Sequence, residues 1–252
     1  MSYDPRQILT QAGQDLAVEE VPLRQIADQF GTPCYVYSAQ ALRAQYHQLA
    51  AALNPLKSRI HYSVKANSNL GILSLFKELG AGFDIVSGGE LSRVLAIGGN
   101  PRDVIFSGVG KSVAEIDLAL KVGVGCFNVE SRSELERIQQ RAELAQKVAP
   151  ISVRVNPDID ANTHPYISTG LKDNKFGVDA ETALTLYSMA AKTNALSIEG
   201  IDCHIGSQIA RTEPLLEALN SILNLVDTLS SSGIELQHVN LGGGFGVRYQ
   251  DE

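Results

Sequence analysis

Several residues able to do chemistry fall at the ends of short β-rich runs. Lys65 ends the run Arg59–Lys65. An amine on an inward, partly desolvated face has its ammonium form disfavoured and can form a Schiff base with an aldehyde. Asp84 stands near the end of Phe83–Val86, with Ser87-Gly88-Gly89-Glu90 opening a helix behind it. Arg154 and Asn156 end Ile151–Asn156, and His204, followed by Gly206 and Ser207, ends Ile198–His204. Gly242, Gly243 and Gly244 follow Leu236–Leu241; consecutive glycines expose backbone N–H groups that can cradle a phosphate with no side chain in the way. Taken singly, each has a plainer reading: a surface lysine, a satisfied core histidine, a tight turn. Their shared position raises them above it, because C-terminal strand ends are where barrel enzymes place their chemistry.

Other apparent motifs fail. Gly108-Val109-Gly110-Lys111-Ser112 imitates the end of a phosphate-binding loop, but Ile105 stands where the first glycine must be. Gly242–Val247 follows a strand, yet Val247 occupies the last glycine position of a dinucleotide fingerprint. The five histidines (His47, His61, His164, His204, His238) are scattered with no i, i+4 pair, so no metal is expected. A net charge of −7 over 252 residues, with no basic block, argues against nucleic acid or an anionic membrane as partner. No run approaches the ~18 apolar residues of a membrane span, and Met1–Gly13 has no secretory h-region. Cys34, Cys126 and Cys203, far apart, read as reduced core thiols of a cytoplasmic protein.

The elements that must position these residues alternate strand with helix. Strands are expected at Arg59–Lys65, Phe83–Val86, Val104–Ser107, Cys126–Val129, Ile151–Asn156, Ile198–His204 and Leu236–Leu241. Helices include Ala39–Leu53, a stretch from Ser131 to Val148 opened by a Ser131/Glu134 capping box, and an apolar stripe from Leu215 to Leu229 stopped near Gly233. Such alternation means βαβ units and a parallel sheet. One strand face is repeatedly polar: His61, Ser63 and Lys65; Ser152, Arg154 and Asn156; Gly200, Asp202 and His204; His238 and Asn240. Doubly buried strands should be apolar on both faces, so a barrel with a polar interior fits better than an open sheet. An antiparallel sheet with one wet face is the plainer alternative, and the intervening helices argue against it. A closed barrel needs eight strands. Seven are found, and the sequence ends at Glu252, so the fold class expected is an α/β (β/α)₈-type barrel, incomplete before its eighth strand. Residues 1–38 read as a lead-in segment and 39–252 as the incomplete barrel.

A lysine, a histidine and a phosphate nest on one rim are what a pyridoxal 5'-phosphate (PLP) site requires. Tyr62-Ser63-Val64-Lys65-Ala66-Asn67, Gly82–Leu91, Cys203-His204-Ile205-Gly206-Ser207-Gln208 and Leu241–Gly246 resemble the alanine-racemase-like, fold-type-III PLP decarboxylases. Within that group Arg154-Val155-Asn156-Pro157-Asp158, Thr163–Gly170 and Lys175-Phe176-Gly177 resemble the diaminopimelate decarboxylases, as does Ser107–Lys111. The resemblance implies that Lys65 forms the Schiff base with PLP and that His204 stacks on its ring. It implies that Ser207, Gly242, Gly243 and Gly244 hold the phosphate, and that Asp84, Glu90 and Arg154 are polar neighbours of the cofactor. The loop from Asp158 to Lys175 is expected to cover the site's mouth. The implied reaction removes CO₂ from meso-2,6-diaminopimelate, the last step of lysine biosynthesis, on a small amino-acid substrate in a cytoplasmic homodimer.

Family members continue into an eighth strand ending Glu-Pro-Gly-Arg and then a C-terminal β-domain, neither of which this sequence contains. The Glu partners the pyridinium nitrogen and the Arg binds a substrate carboxylate, so the 252-residue chain alone is expected to be impaired. Two other readings stay open: a decarboxylase of ornithine or arginine type, and a non-catalytic PLP-carrier barrel. The His164–Gly170 segment speaks against both.

Overall fold

A computed structural model describes residues 8–13, 15–159 and 176–247. The chain divides into two compact units, residues up to Tyr62 with Asn69–Gly82, and Ser63–Ser68 with Phe83 onward. The first unit holds a small antiparallel sheet of β1 (Leu9–Ala12), β2 (Asp15–Val18) and β3 (Val21–Pro22), followed by α1 (Leu23–Phe30). Its helix α2 (Ala39–Leu53) matches the expected span, and Ser38 caps it by accepting from Ala41 N. Cys34 lies exposed in the extended stretch between α1 and α2, which corrects its reading as a core thiol; Cys126 and Cys203 are buried. In the same unit Tyr62 stacks on Phe76 of α3 (Leu70–Glu78), ring centroids 4.1 Å apart.

The main sheet has seven strands, all at expected places: β4 (His61–Ser63), β5 (Gly82–Ile85), β6 (Val104–Phe106), β7 (Cys126–Val129), β8 (Ala149–Arg154), β9 (Leu196–Asp202) and β10 (His238–Asn240). They lie in sequential order, and the pairs from β5 to β10 are parallel, which removes the antiparallel alternative. Helices α4 (Gly88–Ala96), α5 (Val113–Val122), α6 (Arg132–Leu144), α7 (Ala180–Ala190) and α8 (Glu213–Ser231) alternate with the strands. No helix among the described residues is long and apolar enough to cross a membrane.

The strand alternation sorts the side chains as expected. Phe83, Ile85, Phe106, Phe127, Val129, Ile151, Val153 and Ile201 are almost wholly buried, as are Ile116, Leu135, Ile138, Leu186 and Ile222 of the helices. Each large side chain so buried contributes about 1.5–3 kcal/mol. Tyr187 of α7 mends a flaw in the sheet. Its hydroxyl accepts from Val153 N at 3.3 Å and donates to Gly200 O at 2.7 Å, next to the register shift between Ile151 and Ser152.

Serine–glutamate pairs three apart organise the strand-to-helix turns on the C-terminal side. Ser87, Ser112 and Ser131 cap α4, α5 and α6, each accepting from the glutamate N–H three residues on. Only Ser112/Glu115 closes a full capping box. The expected box at Ser131 is half formed, because Glu134 Oε2 accepts instead from Glu130 N at 2.7 Å. Glu90 does the same with Val86 N, also at 2.7 Å. Helix α6 ends at Leu144, short of Val148: Gln146 takes a φ of +52° and β8 begins at Ala149.

Candidate active site

The polar strand face forms registered rows. Asn128, Ser152, Gly200 and His238 lie side by side on β7 to β10, and Arg154, Asp202 and Asn240 form the next row on β8 to β10. Gly200 is needed there, since a Cβ on it would stand 2.3 Å from His238 Nε2. Buried Asn128 Oδ1, Ser152 Oγ and His238 Nε2 have no hydrogen-bond partner among the described residues, so the row is polar without being self-satisfied.

Asp84 on β5 is the centre of a side-chain chain. It accepts from Ser107 Oγ at 2.5 Å and from Ser63 Oγ at 3.5 Å, while Asn128 Nδ2 donates to Ser107 Oγ at 3.1 Å. Burial raises its pKa; the Ser107 bond and then the Lys65 and Arg154 cations pull the other way. Lys65 is therefore within electrostatic reach of Asp84, as it is of His204. It sits in a 3₁₀ turn, Val64–Ala66, just past β4, with its backbone fixed by fully buried Val64. Its side chain is exposed, so the partial desolvation expected of a strand-end lysine is absent: the turn carries the residue beyond the strand face.

Arg154 closes β8 with Nη1 3.4 Å from Glu130 and Nε 3.8 Å from Asp202, and the Phe176 ring centre lies 5.2 Å from its Cζ. Burial pushes Asp202 up to about 7 against the pull of Arg154. His204 is pushed down to about 4 by burial, then by the Arg154 and Lys65 charges, so its imidazole is neutral at physiological pH. Asn156 turns its Oδ1 to Asp158 N at 3.0 Å, a local turn bond. Glu90 has one oxygen committed to Val86 N and still acts on Asp84 through its charge. His61 belongs to the first compact unit, and residues 160–175 of the expected loop lie outside the described residues.

The three glycines meet the turn after β9. Gly242 and Gly244 adopt φ of +70° and +81°, and a Cβ on Gly244 would strike Gly206 O at 1.9 Å. Asn240 Oδ1 accepts from Gly242 N at 2.8 Å, and Gly244 O accepts from Ile209 N at 2.9 Å. A side chain at Gly243 would point into open space. Among the described residues nothing accepts from the N–H groups of Ser207, Gly243 or Gly244. Unpaired N–H donors beside the open space at Gly243 fit a phosphate, and a neutral imidazole next to Gly242 fits an aromatic ring.

Residues missed from the sequence complete the picture. Glu130 and Asp202 enclose Arg154, and Lys111 belongs to the wall beneath them. Glu130 stands directly after an apolar strand and before the Ser131 cap, the rim position already favoured for Asp84 and Arg154.

His204 and Asp202 bear on stability with opposite signs. The folded His204 titrates near 4 against an ordinary 6.5, so between these values the unfolded chain binds the extra proton and stability falls as pH falls. Asp202 titrates near 7 against an ordinary 3.8, so the folded chain binds the extra proton and stability falls as pH rises. Each slope approaches about 1.4 kcal/mol per pH unit, and in the shared window they cancel. Denaturant midpoints between about pH 4.5 and 6 should therefore rise with pH in Asp202→Asn and fall with pH in His204→Gln. The same sign in both variants would contradict the assignment.

Residues 39–252 match the family model described as pyridoxal-dependent decarboxylase, pyridoxal binding domain. The chain is 56% identical over 239 residues to a diaminopimelate decarboxylase of Pseudomonas aeruginosa, covering 94% of this chain and 57% of that protein. It is 58% identical over 240 residues to one of Neisseria meningitidis serogroup B, with the same coverages of 94% and 57%. The crystal structure of diaminopimelate decarboxylase from Helicobacter pylori complexed with L-lysine superposes with a TM-score of 0.89 at 43% identity, covering 91% of this chain and 58% of that one. The chain thus spans rather more than half the length of these relatives. With its strand-end lysine, neutral histidine and glycine nest on a seven-stranded parallel sheet, it belongs to the pyridoxal-dependent decarboxylases, as their pyridoxal binding domain.

Proposed function

We propose that this chain is the cofactor-binding part of an enzyme that decarboxylates meso-2,6-diaminopimelate to L-lysine and CO₂. The convergence of Lys65, Asp84, Arg154 and His204 with the Gly242–Gly244 nest carries the reading, and the relatives' name supplies the substrate. Bound there, pyridoxal 5'-phosphate supplies an electron sink for the carbanion left when CO₂ departs.

The chain's own residues prepare that chemistry. Lys65 offers an amine for covalent attachment of the cofactor's aldehyde. His204, uncharged, presents an aromatic face without adding a cation beside Arg154 and Lys65. Ser207 and the N–H groups of Gly243 and Gly244 bind phosphate oxygens. Asp84, held by Ser107 and Ser63, supplies negative charge near Lys65, and Arg154 balances it. A cytoplasmic homodimer acting on a small amino acid belongs to the same reading and rests on the resemblance.

The test compares CO₂ release from meso-diaminopimelate, ornithine and arginine by a form of the protein extended to its relatives' length. Diaminopimelate is expected to be the preferred substrate; preference for either of the others overturns the substrate assignment. The 252-residue chain alone is expected to be slower by on the order of 10²-fold or more, since mispositioned substrate alone costs that much.

A further inference from the structure

Glu130 stands one residue past β7, its side chain 1% exposed. Its Oε1 accepts from Gly108 N at 3.1 Å, its Oε2 accepts from Gly177 N at 3.2 Å, and Arg154 Nη1 lies 3.4 Å from both oxygens. Gly108 follows β6, Arg154 ends β8, and Gly177 precedes the bridge of Val178 to Val155. One carboxylate thus ties the rim ends of three neighbouring strands. It is itself fixed from below: Glu130 N donates to Glu134 Oε2 at 2.7 Å, and Lys111 Nζ donates to Glu134 Oε1 at 2.7 Å.

The Arg154 contacts are of another kind. At 3.4 Å to Glu130 and 3.8 Å to Asp202 they exceed the ~2.7–2.9 Å of a tight charge-assisted bond. Nη1 makes only long bonds to Glu130 and none joins Nε to Asp202, so charge more than hydrogen bonding holds the guanidinium between the two carboxylates. The same cation acts on Asp84, Asp202 and His204, so where it stands sets the field of the site. Among the described residues, Glu130 has no bond to any residue proposed to hold the cofactor except Arg154.

We infer that Glu130 is a positioning residue: by gripping the Gly108 and Gly177 backbones and attracting Arg154 Nη1, it sets where the Arg154 cation stands toward the cofactor. This rests on Arg154 belonging to the PLP site proposed above, and adds the residue that controls it.

A double-mutant cycle tests it. Dissociation constants for PLP are read from the visible absorbance of the bound cofactor in the unsubstituted chain, Glu130→Gln, Arg154→Gln and the double variant, with circular dichroism to establish folding. Each single substitution should weaken binding roughly tenfold, and the double no more than the worse single, because residues acting through one contact are not additive. Glu130→Gln should also move the His204 titration, followed by NMR without cofactor, upward as Arg154 is released; a merely structural Glu130 would lower the melting temperature and leave His204 in place. Losses that multiply to roughly a hundredfold, an unchanged affinity in Glu130→Gln, or an unmoved His204 each overturn the inference. If Glu130→Gln does not fold, Glu130→Asp, which keeps the charge and shortens the reach, enters the same cycle with the same expectations. Failure of the unsubstituted chain to bind PLP sinks the cofactor reading itself, whereas binding followed by an additive cycle sinks only the role of Glu130.

Discussion

Lys111→Met should lower the stability of the chain by about 3–5 kcal/mol, the loss that follows when one partner of a buried ion pair is removed. The Lys111 side chain is 0% exposed and that of Glu134 5%. All three ammonium donors are used: Nζ reaches Glu134 Oε1 at 2.7 Å, Asn128 O at 2.7 Å and Gly108 O at 2.8 Å. The Phe106 ring centre lies 5.5 Å from the same nitrogen and adds a cation–π contact. Methionine fills much of the lysine's volume, so the penalty is electrostatic: a carboxylate and two carbonyls lose their donor in a dry wall. For a chain of this size the melting temperature should fall by roughly 6–20 °C. Lys111→Met/Glu134→Gln should regain part of the loss, because the stranded charge is gone while the amide can still accept from Glu130 N. A Lys111→Met variant within about 1 kcal/mol of the parent in denaturant unfolding would show that the pair is not a net support.

That lysine also marks how far the sequence could be read. Gly108-Val109-Gly110-Lys111-Ser112 imitates a phosphate loop, with Ile105 at the position of its first glycine. What the lysine does instead depends on Asn128 and Glu134, 17 and 23 residues away, which no local pattern brings together. The seven strands were legible because alternation along each is local, and Cys126–Val129 fell on its observed bounds. Arg59–Lys65 shortened to His61–Ser63 because Val64–Ala66 tightens into a 3₁₀ turn, a choice the alternation does not encode. The hairpin of Leu9–Ala12 and Asp15–Val18 went unread, its short strands giving too few residues for a period. In the candidate site the strand-end groups are visible as residue types at a rim, Glu130 among them by its place after Cys126–Val129, whereas the pairing of Glu130 and Asp202 with Arg154 comes from the fold that encloses it.

Lys65→Ala should abolish covalent attachment of the cofactor, and Lys65→Arg should separate that loss from the loss of charge. The amine is proposed to carry the aldehyde of PLP, so borohydride should fix cofactor to the unsubstituted chain and to neither variant. Activity of a full-length form should fall by on the order of 10³-fold or more in both, as when other covalent nucleophiles are removed. The ammonium has a second effect that needs no cofactor. Its charge now lowers the pKa of both Asp84 and His204. Without it both should move up: Asp84 because its carboxylate loses a nearby cation, His204 because its protonated form loses a like-charged neighbour. Arginine restores the positive charge and cannot form the imine at its guanidinium, so NMR titration of His204 should shift upward in Lys65→Ala and hold near its parent position in Lys65→Arg. Cofactor fixed by borohydride in Lys65→Ala would place the attachment on another amine. A His204 titration identical in all three proteins would mean that Lys65 stands too far from the imidazole to share a site with it.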